Sequence, residues 1–353
     1  MKKIKQLEIT SILILAILVG FGVFATLKTL HSDYVKSISS DVTMVQSLKS
    51  SAVSFSDDFE KNVPTAKFMN SVLYRISGIC NSDQVIIGND GWFFYSSKTD
   101  GDPIAAYEGT NYYTDEQLVA AKNNILETQK KLEDRGIGFC VIVPPNKERV
   151  YSEYMPLKYK YAQETRTDVL LNYLQQSGAS VVNPNNEILK FSDDFKTYYK
   201  QDTHWDELGG YIGTKCALDT FNLSVPELDE SIVEKDSKCN SDLVGIASLD
   251  GVFESDYGLT TSRTLHDIDD SKMDEKTPCH FHNDKAEFDK TILLIGDSFR
   301  KSMAPNLAYC FKDVYVIHRD NYERKMLDSI APDYLISEFV ERYSDNIGTF
   351  KIL

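Results

Sequence analysis

The chain has 353 residues, 42% hydrophobic, 26% charged and 11% aromatic, which excludes collagen-like, disordered and low-complexity classes and predicts a folded protein. Its 38 lysines and arginines against 53 aspartates and glutamates leave a formal net charge of −15, so the overall field repels phosphates and nucleic-acid binding is not expected. Six cysteines without a C-x-x-C pair are too sparse for a disulfide scaffold and indicate no zinc or thioredoxin-like chemistry.

The N-terminus carries one long apolar segment. Residues 9–27 contain no charge, and at ~1.5 Å per helical residue their length nearly matches a ~30 Å hydrocarbon core. The lysines within residues 1–8 predict a cytoplasmic N-terminus, a single transmembrane anchor and an extracytoplasmic body in the cell envelope. A cleaved signal peptide is the alternative, because Val23 and Ala25 form a small-residue cleavage pattern.

The exported part begins with a spacer. Residues 28–54 are Ser-rich and predict a stalk, followed by one domain over residues 55–353. Within that domain, residues 85–95 contain two β-rich runs joined at Asn-Asp-Gly, which predicts a hairpin at the start of a sheet.

Helices and strands then alternate. Thr114 and Gln117 form a capping box ahead of a helical stripe that ends at Gly136, and residues 137–143 read as a buried strand. A helix at residues 169–176 and a strand at 179–182 repeat the unit. This alternation predicts an α/β fold with a mainly parallel sheet covered on both faces.

The second half is less regular at first. Residues 226–290 are acidic without a sustained period, which predicts an irregular insertion or small strands at the domain edge. The α/β pattern then returns, with strands predicted at residues 291–295, 314–317 and 334–336 and helices around Met303 to Tyr309 and Met326 to Ile330.

Two short segments carry the residue types of nucleophilic catalysis. Asp202 and His204 stand two positions apart, which in an extended segment places both side chains on one side, so that the Asp accepts the Nδ1 proton and leaves Nε2 free as a base. Ser298 follows a buried strand and precedes a helix, at the sheet edge where small ligands bind and helix amides hold an oxyanion.

Each segment also has a purely structural interpretation. Asp202 or Thr203 is a candidate N-cap for a helix predicted over residues 206–218, and Gly-Asp-Ser is a candidate turn feeding a helix cap. Their joint presence favours the catalytic interpretation, because triads are defined by geometry and not by order in the chain.

Two further clusters are weaker candidates. His280 and His282 form a His-x-His pair that suits a metal, but the sequence offers no partner at a suitable spacing. Trp92 and the following aromatics at 93–95 suit stacking on a sugar ring, although aromatics in a hairpin more often belong to the core. We expect no cofactor and no metal.

Four blocks in this order resemble a known family. The sequence is similar to the SGNH-hydrolase-like domain of the AlgX/AlgJ (alginate O-acetyltransferase, DHHW-type) family over roughly residues 52–353. The matching blocks are Gly88-x-Asp90-Gly91-Trp92-Phe93-Phe94, Val143-Pro144-Pro145-Asn146-Lys147 with Tyr151 and Pro156, Tyr199-x-x-Asp202-Thr203-His204-Trp205 with Gly209-Gly210, and Gly296-Asp297-Ser298-Phe299.

The resemblance implies a three-layer α/β/α sandwich and an exported or membrane-anchored enzyme that acetylates an extracellular polysaccharide. It implies a membrane-bound O-acyltransferase as the partner that supplies the acyl group. By block matching, Ser298 corresponds to the nucleophile, His204 to the general base and Asp202 to the residue that orients the base.

Three functions remain open from the sequence. The leading hypothesis is O-acetyl transfer to a sugar hydroxyl through an acetyl-serine intermediate. A carbohydrate acetylesterase would use the same triad with water as acceptor. A non-catalytic surface subunit that binds glycan or scaffolds an assembly would use the three residues only as caps.

Overall fold

The computed structural model describes residues 65–78, 80, 82–228, 230–236, 241–253, 256–265 and 270–353. The predicted anchor at residues 9–27 and the stalk at 28–54 lie outside these residues. Within the described ranges, no helix has the length and apolar character needed to cross a membrane. The chain divides into two units, Met1–Ile76 and Ser77–Leu353. The described part of the first unit is residues 65–76, which belong to helix α1 (Thr65–Ser77).

The second unit alternates strands and helices along the chain. Its strands are β1 (Val85–Ile87), β2 (Phe93–Tyr95), β3 (Gly138–Ile142), β4 (Val181–Val182), β5 (Val233–Asp236), β6 (Gly258–Thr261), β7 (Cys279–His282), β8 (Phe288–Gly296), β9 (Phe311–His318) and β10 (Tyr334–Glu338). Its α-helices are α2 (Pro103–Tyr107), α3 (Asp115–Glu133), α4 (Lys147–Val150), α5 (Arg166–Gln176), α6 (Asn185–Phe191), α7 (Glu207–Asp219), α8 (Asp242–Ile246), α9 (Arg300–Cys310), α10 (Arg324–Ile330) and α11 (Asn346–Thr349).

A six-stranded sheet forms the centre of this unit. Its strand order is β4-β3-β10-β8-β9-β7, and the neighbouring strands run parallel except for β7, which pairs antiparallel with β9. In register, Ile336 of β10 lies between Cys140 of β3 and Leu294 of β8. The predicted α/β fold with a mainly parallel sheet is confirmed.

Alternate residues of the central strands enter two separate hydrophobic clusters. Ile292 and Leu294 pack with residues of α7 and α9, whereas Leu293 and Ile295 pack with residues of α3, α5 and α10. Successive side chains of a strand point to opposite faces, so the sheet is covered on both sides. All four side chains are fully buried, and each such burial stabilises the fold by about 1.5–3 kcal/mol.

Capping boxes determine where two of the predicted helices begin. Thr114 and Gln117 make the predicted capping box at the start of α3, and Gly136 beyond its end has a φ of +74°. Helix α5 starts three residues before the predicted Val169, because Thr165 and Asp168 form a second capping box. The N-terminal boundary predicted for α5 is therefore wrong, while its end at Gln176 is confirmed.

One expectation about strands requires correction, and the small strands expected within residues 226–290 are confirmed. The predicted hairpin exists, with β1 antiparallel to β2, but it forms a two-stranded sheet of its own and does not start the central sheet. Residues 226–290 contain a second small sheet, β5 with β6, and also β7, an edge strand of the central sheet. Because β7 has only four residues, half of them exposed, it leaves no buried apolar run in the sequence.

Candidate active site

Several chain segments meet where the parallel strands end. β8 is followed by Ser298, β3 by Asn146 and β10 by Arg342, so all three residues lie at the same edge of the sheet. This is the edge at which open α/β sheets bind small ligands. Ser298 lies just before α9, where the first amides of a helix have no partners within it.

The structure brings Ser298, His204 and Asp202 together. The Nε2 atom of His204 lies 2.6 Å from the Ser298 Oγ, although the residues are 94 positions apart. The Nδ1 atom lies 2.6 Å from Oδ1 of Asp202. This geometry suits the tautomer in which Nδ1–H donates to the carboxylate and Nε2 accepts the serine proton, the arrangement that activates a serine.

Asp202 reaches His204 through a turn and not through an extended strand. Residues 202–204 form a bend, and Oδ1 of Asp202 also accepts the backbone N–H of His204 at 2.9 Å. The predicted extended conformation is wrong, and the short side chain of Asp202 accounts for the contact. Burial alone raises the pKa of Asp202, but the hydrogen bond and charge of His204 outweigh it and leave that pKa below its usual range.

The predicted N-cap role of Asp202 or Thr203 is not observed. Helix α7 is capped by Asp206, whose Oδ1 accepts the N–H of Gly209 at 3.0 Å. Its second oxygen accepts the N–H of Leu259 at 2.8 Å. The structural alternative for Asp202 is therefore wrong.

Trp205 links the His204 segment to the Ser298 segment. Its indole N–H donates to the carbonyl oxygen of Phe299 at 3.0 Å, and the two rings lie 5.4 Å apart. The imidazole of His204 also packs on Phe299, with a centroid distance of 5.2 Å. Trp205 follows His204 and Phe299 follows Ser298, so this buried aromatic pair holds the two segments that carry the Nε2 to Oγ contact.

Lys147 anchors the loop that carries Asp202. Its ammonium is buried and donates to three backbone carbonyls, those of Tyr199, Lys200 and Asp202, at 3.1, 3.0 and 2.5 Å. Burial lowers the pKa of Lys147 to about 8, against the opposing effect of nearby acids headed by Asp202. Lys147 appears in the sequence only as part of a Pro-Pro-Asn-Lys run, with nothing in that run to indicate this role.

Asp242 lies near His204, and no sequence pattern indicates it. Its Oδ2 accepts the hydroxyl of Thr203 at 2.6 Å and lies 3.8 Å from Nδ1 of His204. Its backbone N–H donates to Oδ2 of Asp202 at 3.0 Å. Burial and the charge of Asp202 raise the pKa of Asp242. Asp242 begins a five-residue helix, which is too short to show a period in the sequence.

Comparison with models of known protein families identifies the family to which this chain belongs. Residues 85–308, more than half of the chain, match the model of the SGNH hydrolase-like domain of acetyltransferase AlgX. The chain belongs to this AlgX-type SGNH hydrolase-like acetyltransferase family. The match contains Asp202, His204 and Ser298, and the sequence-based resemblance to the family is confirmed.

A solved structure with a TM-score above 0.5 shares the fold of the AlgX-type chain, and two others were found with lower scores. A sulfonyl adduct of Bacillus cereus PatB1 is 14% identical with a TM-score of 0.53, covering 76% of this chain and 99% of that one. The O-acetyltransferase domain of Pseudomonas putida AlgJ is 15% identical with a TM-score of 0.47, covering 76% and 93%. A DHHW family protein from Eubacterium siraeum is 12% identical with a TM-score of 0.48, covering 76% and 99%. Among curated protein sequences, none matches this chain.

The remaining candidates are not part of the Ser298 contact network in this AlgX-type chain. Trp92, Phe93 and Phe94 are buried, with Trp92 stacked on Tyr151 at 4.1 Å, so they belong to the core and offer no sugar platform. His280 and His282 lie on the edge strand β7. Within the Ser298 contact network itself, the ligand atoms of Asp202, His204 and Asp242 also lie within 4.8 Å of one another, which is the spacing of a metal-binding group.

Proposed function

We propose that this acetyltransferase transfers acetyl groups to hydroxyls of a polysaccharide through an acetyl-Ser298 intermediate. The observation that carries the proposal is the chain of two 2.6 Å contacts from Ser298 through His204 to Asp202. Membership of an acetyltransferase family supports acetyl as the group that is transferred. The partial exposure of Ser298 supports access of an acyl donor to its hydroxyl.

The reaction divides into two half-reactions. In the first, His204 removes the Ser298 proton, Oγ attacks the acyl carbonyl, and His204 returns the proton to the departing group of the donor. The proposed oxyanion donor is the backbone N–H of Ser298, because the amides of residues 299–301 already donate to oxygens of Asp297 and Ser298. In the second, His204 removes the proton of a sugar hydroxyl, which attacks the acetyl-serine and releases the Ser298 hydroxyl with its proton restored.

The proposal includes a place for the enzyme in the cell. We propose that residues 9–27 anchor it in the cell membrane, that residues 28–54 form a stalk, and that the domain at residues 55–353 works outside. The uncharged apolar run after an N-terminal lysine cluster supports this orientation. A membrane-bound O-acyltransferase is then the proposed partner, because an acetyl donor made in the cytoplasm has to cross the bilayer before Ser298 receives it.

Acetyl-enzyme trapping tests the proposed nucleophile. The protein is treated with an activated acetyl ester and digested, and the acetylated peptides are mapped by mass spectrometry. We expect one acetyl group on the Ser298 peptide, absent in Ser298→Ala and in His204→Ala. Acetylation that is unchanged in His204→Ala would contradict the proposed base, and a wild-type protein with neither adduct nor turnover would favour the scaffold interpretation.

Product analysis separates the transferase from an esterase. With an oligosaccharide acceptor present, a transferase yields acetylated sugar at the expense of free acetate. The same amount of acetate with and without acceptor would identify water as the acceptor and the protein as an acetylesterase. Ser298→Ala is the matched blank for both products.

A further inference from the structure

Two histidines and an aspartate meet on the edge of the central sheet. His280 and His282 stand two positions apart on β7, so both side chains lie on one face. The antiparallel register pairs His282 with Asp313 of β9 and His280 with Tyr315. The sheet thus supplies, across the strands, the third ligand that the His-x-His pair lacks in the sequence.

The ligand atoms converge on one point. His280 Nε2 and His282 Nδ1 each lie 2.8 Å from the same oxygen, Oδ1 of Asp313. All three ligand atoms lie within 4.8 Å of one another. The side chains keep 41%, 47% and 26% of their surface exposed for His280, His282 and Asp313, so an ion in solution has access to them.

Both imidazole rings are held by contacts beyond the cluster. The second nitrogen of His282, Nε2, lies 3.0 Å from Oδ1 of Asp284. A carboxylate on the far nitrogen is the usual outer partner of a metal-bound histidine, because it fixes the tautomer and makes the imidazole more basic. The ring of His280 stacks on Tyr315 at 4.2 Å with an angle of 5° between the planes.

We propose that His280, His282 and Asp313 form a binding site for a divalent ion of the Zn²⁺ class, with water completing the coordination. Two imidazoles and a carboxylate are a donor set that zinc accepts at about 2.0–2.2 Å. Tetrahedral ligands at that distance lie roughly 3.3 Å apart, so the 2.8 Å contacts open by about half an ångström. The bound ion joins β7 to β9 and secures the edge of the sheet.

Metal titration of the purified full-length protein tests this site. After treatment with a chelator, ZnCl₂ is added in a calorimeter, and Cu²⁺ replaces Zn²⁺ for electron paramagnetic resonance. We expect one Zn²⁺ per chain, an affinity lowered at least about tenfold in His280→Ala, His282→Ala and Asp313→Asn, and Cu²⁺ coupled to two nitrogens in wild type and one in each histidine variant. Asp284→Asn is expected to weaken binding by about 10–100-fold.

Matched variants exclude other origins of the signal. His318→Ala removes a histidine that belongs to neither metal-binding group, and His204→Ala removes the histidine of the Asp202, His204 and Asp242 group. Both variants are expected to bind Zn²⁺ like wild type. Circular dichroism verifies that every variant is folded. Wild-type affinity in the folded His280→Ala/His282→Ala double variant, or the loss of the bound ion in His204→Ala, would overturn the proposal, as would a wild-type protein that binds no Zn²⁺.

Discussion

At the scale of single residues, Asp202 is buried and its carboxylate makes three hydrogen bonds, to the His204 ring and to the His204 and Asp242 amides. Its backbone carbonyl oxygen accepts a fourth from Lys147. Replacing it by Asn keeps the shape but no longer favours the His204 tautomer with a free Nε2. We expect Asp202→Asn to lower kcat by about 10³–10⁴-fold with little change in KM. Steady-state kinetics with an activated acetyl ester measures this, and a kcat within tenfold of wild type would contradict the orienting role.

Asp242 provides a matched comparison for the second carboxylate. It contacts Thr203 directly and the imidazole only at 3.8 Å, so its charge stabilises the protonated ring less than that of Asp202. We expect Asp242→Asn to lower kcat about tenfold in the same assay. A loss as large as that of Asp202→Asn would instead identify Asp242 as the residue that orients His204.

Glu148 has a buried carboxyl group that makes the stability of the folded protein depend on pH. Burial, with a further contribution from Glu341, raises the pKa of Glu148 to about 8. The folded protein therefore retains a proton that the unfolded chain loses between about pH 4.5 and 8, so the free energy of unfolding falls as pH rises through this window. We expect Glu148→Gln to reduce this slope by up to about 1.4 kcal/mol per pH unit. Urea denaturation at pH 5, 6, 7 and 8 tests it, and parallel wild-type and variant curves would contradict it.

At this scale the sequence predicted a site residue only where a reactive residue type stands at the end of a predicted strand or beside a partner nearby in the chain. Ser298 follows a buried strand and His204 has an Asp two residues away, so both stand out as reactive types in a suitable place. Asp242 and Lys147 do not, because their roles arise from contacts with residues about 40 to 55 positions away. The catalytic roles of Asp202, His204 and Ser298 stay predictions.

At the scale of elements, α7 and α9 pack closely against each other at Gly210. A Cβ atom built on Gly210 of α7 would clash with the Ser302 carbonyl oxygen on α9. Since α9 follows Ser298 and α7 follows His204, the separation of these helices sets the distance between base and nucleophile. We expect Gly210→Ala to destabilise the protein by about 1–3 kcal/mol and to lower kcat.

Gly245 provides the matched control for this substitution. It lies exposed in α8, and a Cβ there meets nothing within 4 Å. Gly245→Ala is expected to leave stability unchanged or raise it by up to about 1 kcal/mol, because Ala favours a helix. Thermal unfolding of both variants with parallel kinetics compares them, and equal effects would show that the helix contact is unimportant.

Elements with local signals were predictable, and those defined by distant pairing were not. α3 has its capping box in the sequence, and β8 has a run of apolar residues that is buried on both faces. β7 alternates exposed and half-buried residues over four positions, so only its partner β9 identifies it as a strand of the central sheet.

At the scale of the whole molecule, the net charge of −15 affects the choice of acceptor. An anionic oligosaccharide approaches against a repulsive field that salt screens, since the Debye length falls from ~30 Å at 0.01 M to ~8 Å at 0.15 M. We expect KM for an anionic acceptor to fall severalfold over this range, while KM for a neutral acceptor of equal length stays constant. A KM for the anionic acceptor that rises with salt would show that local basic residues such as Arg342 dominate.

The position of β10 in the sheet determines when the two halves of the sheet are joined during synthesis of the chain. β10 lies between β3 and β8, yet it is the last of the six strands to leave the ribosome. Until it is inserted, the half of the sheet that carries Lys147 has no neighbouring strand to join it to the half that carries Ser298. The carboxyl-terminal edges of the two halves, with Lys147 on one and Ser298 on the other, therefore come together as one sheet edge only when this last strand has paired on both sides.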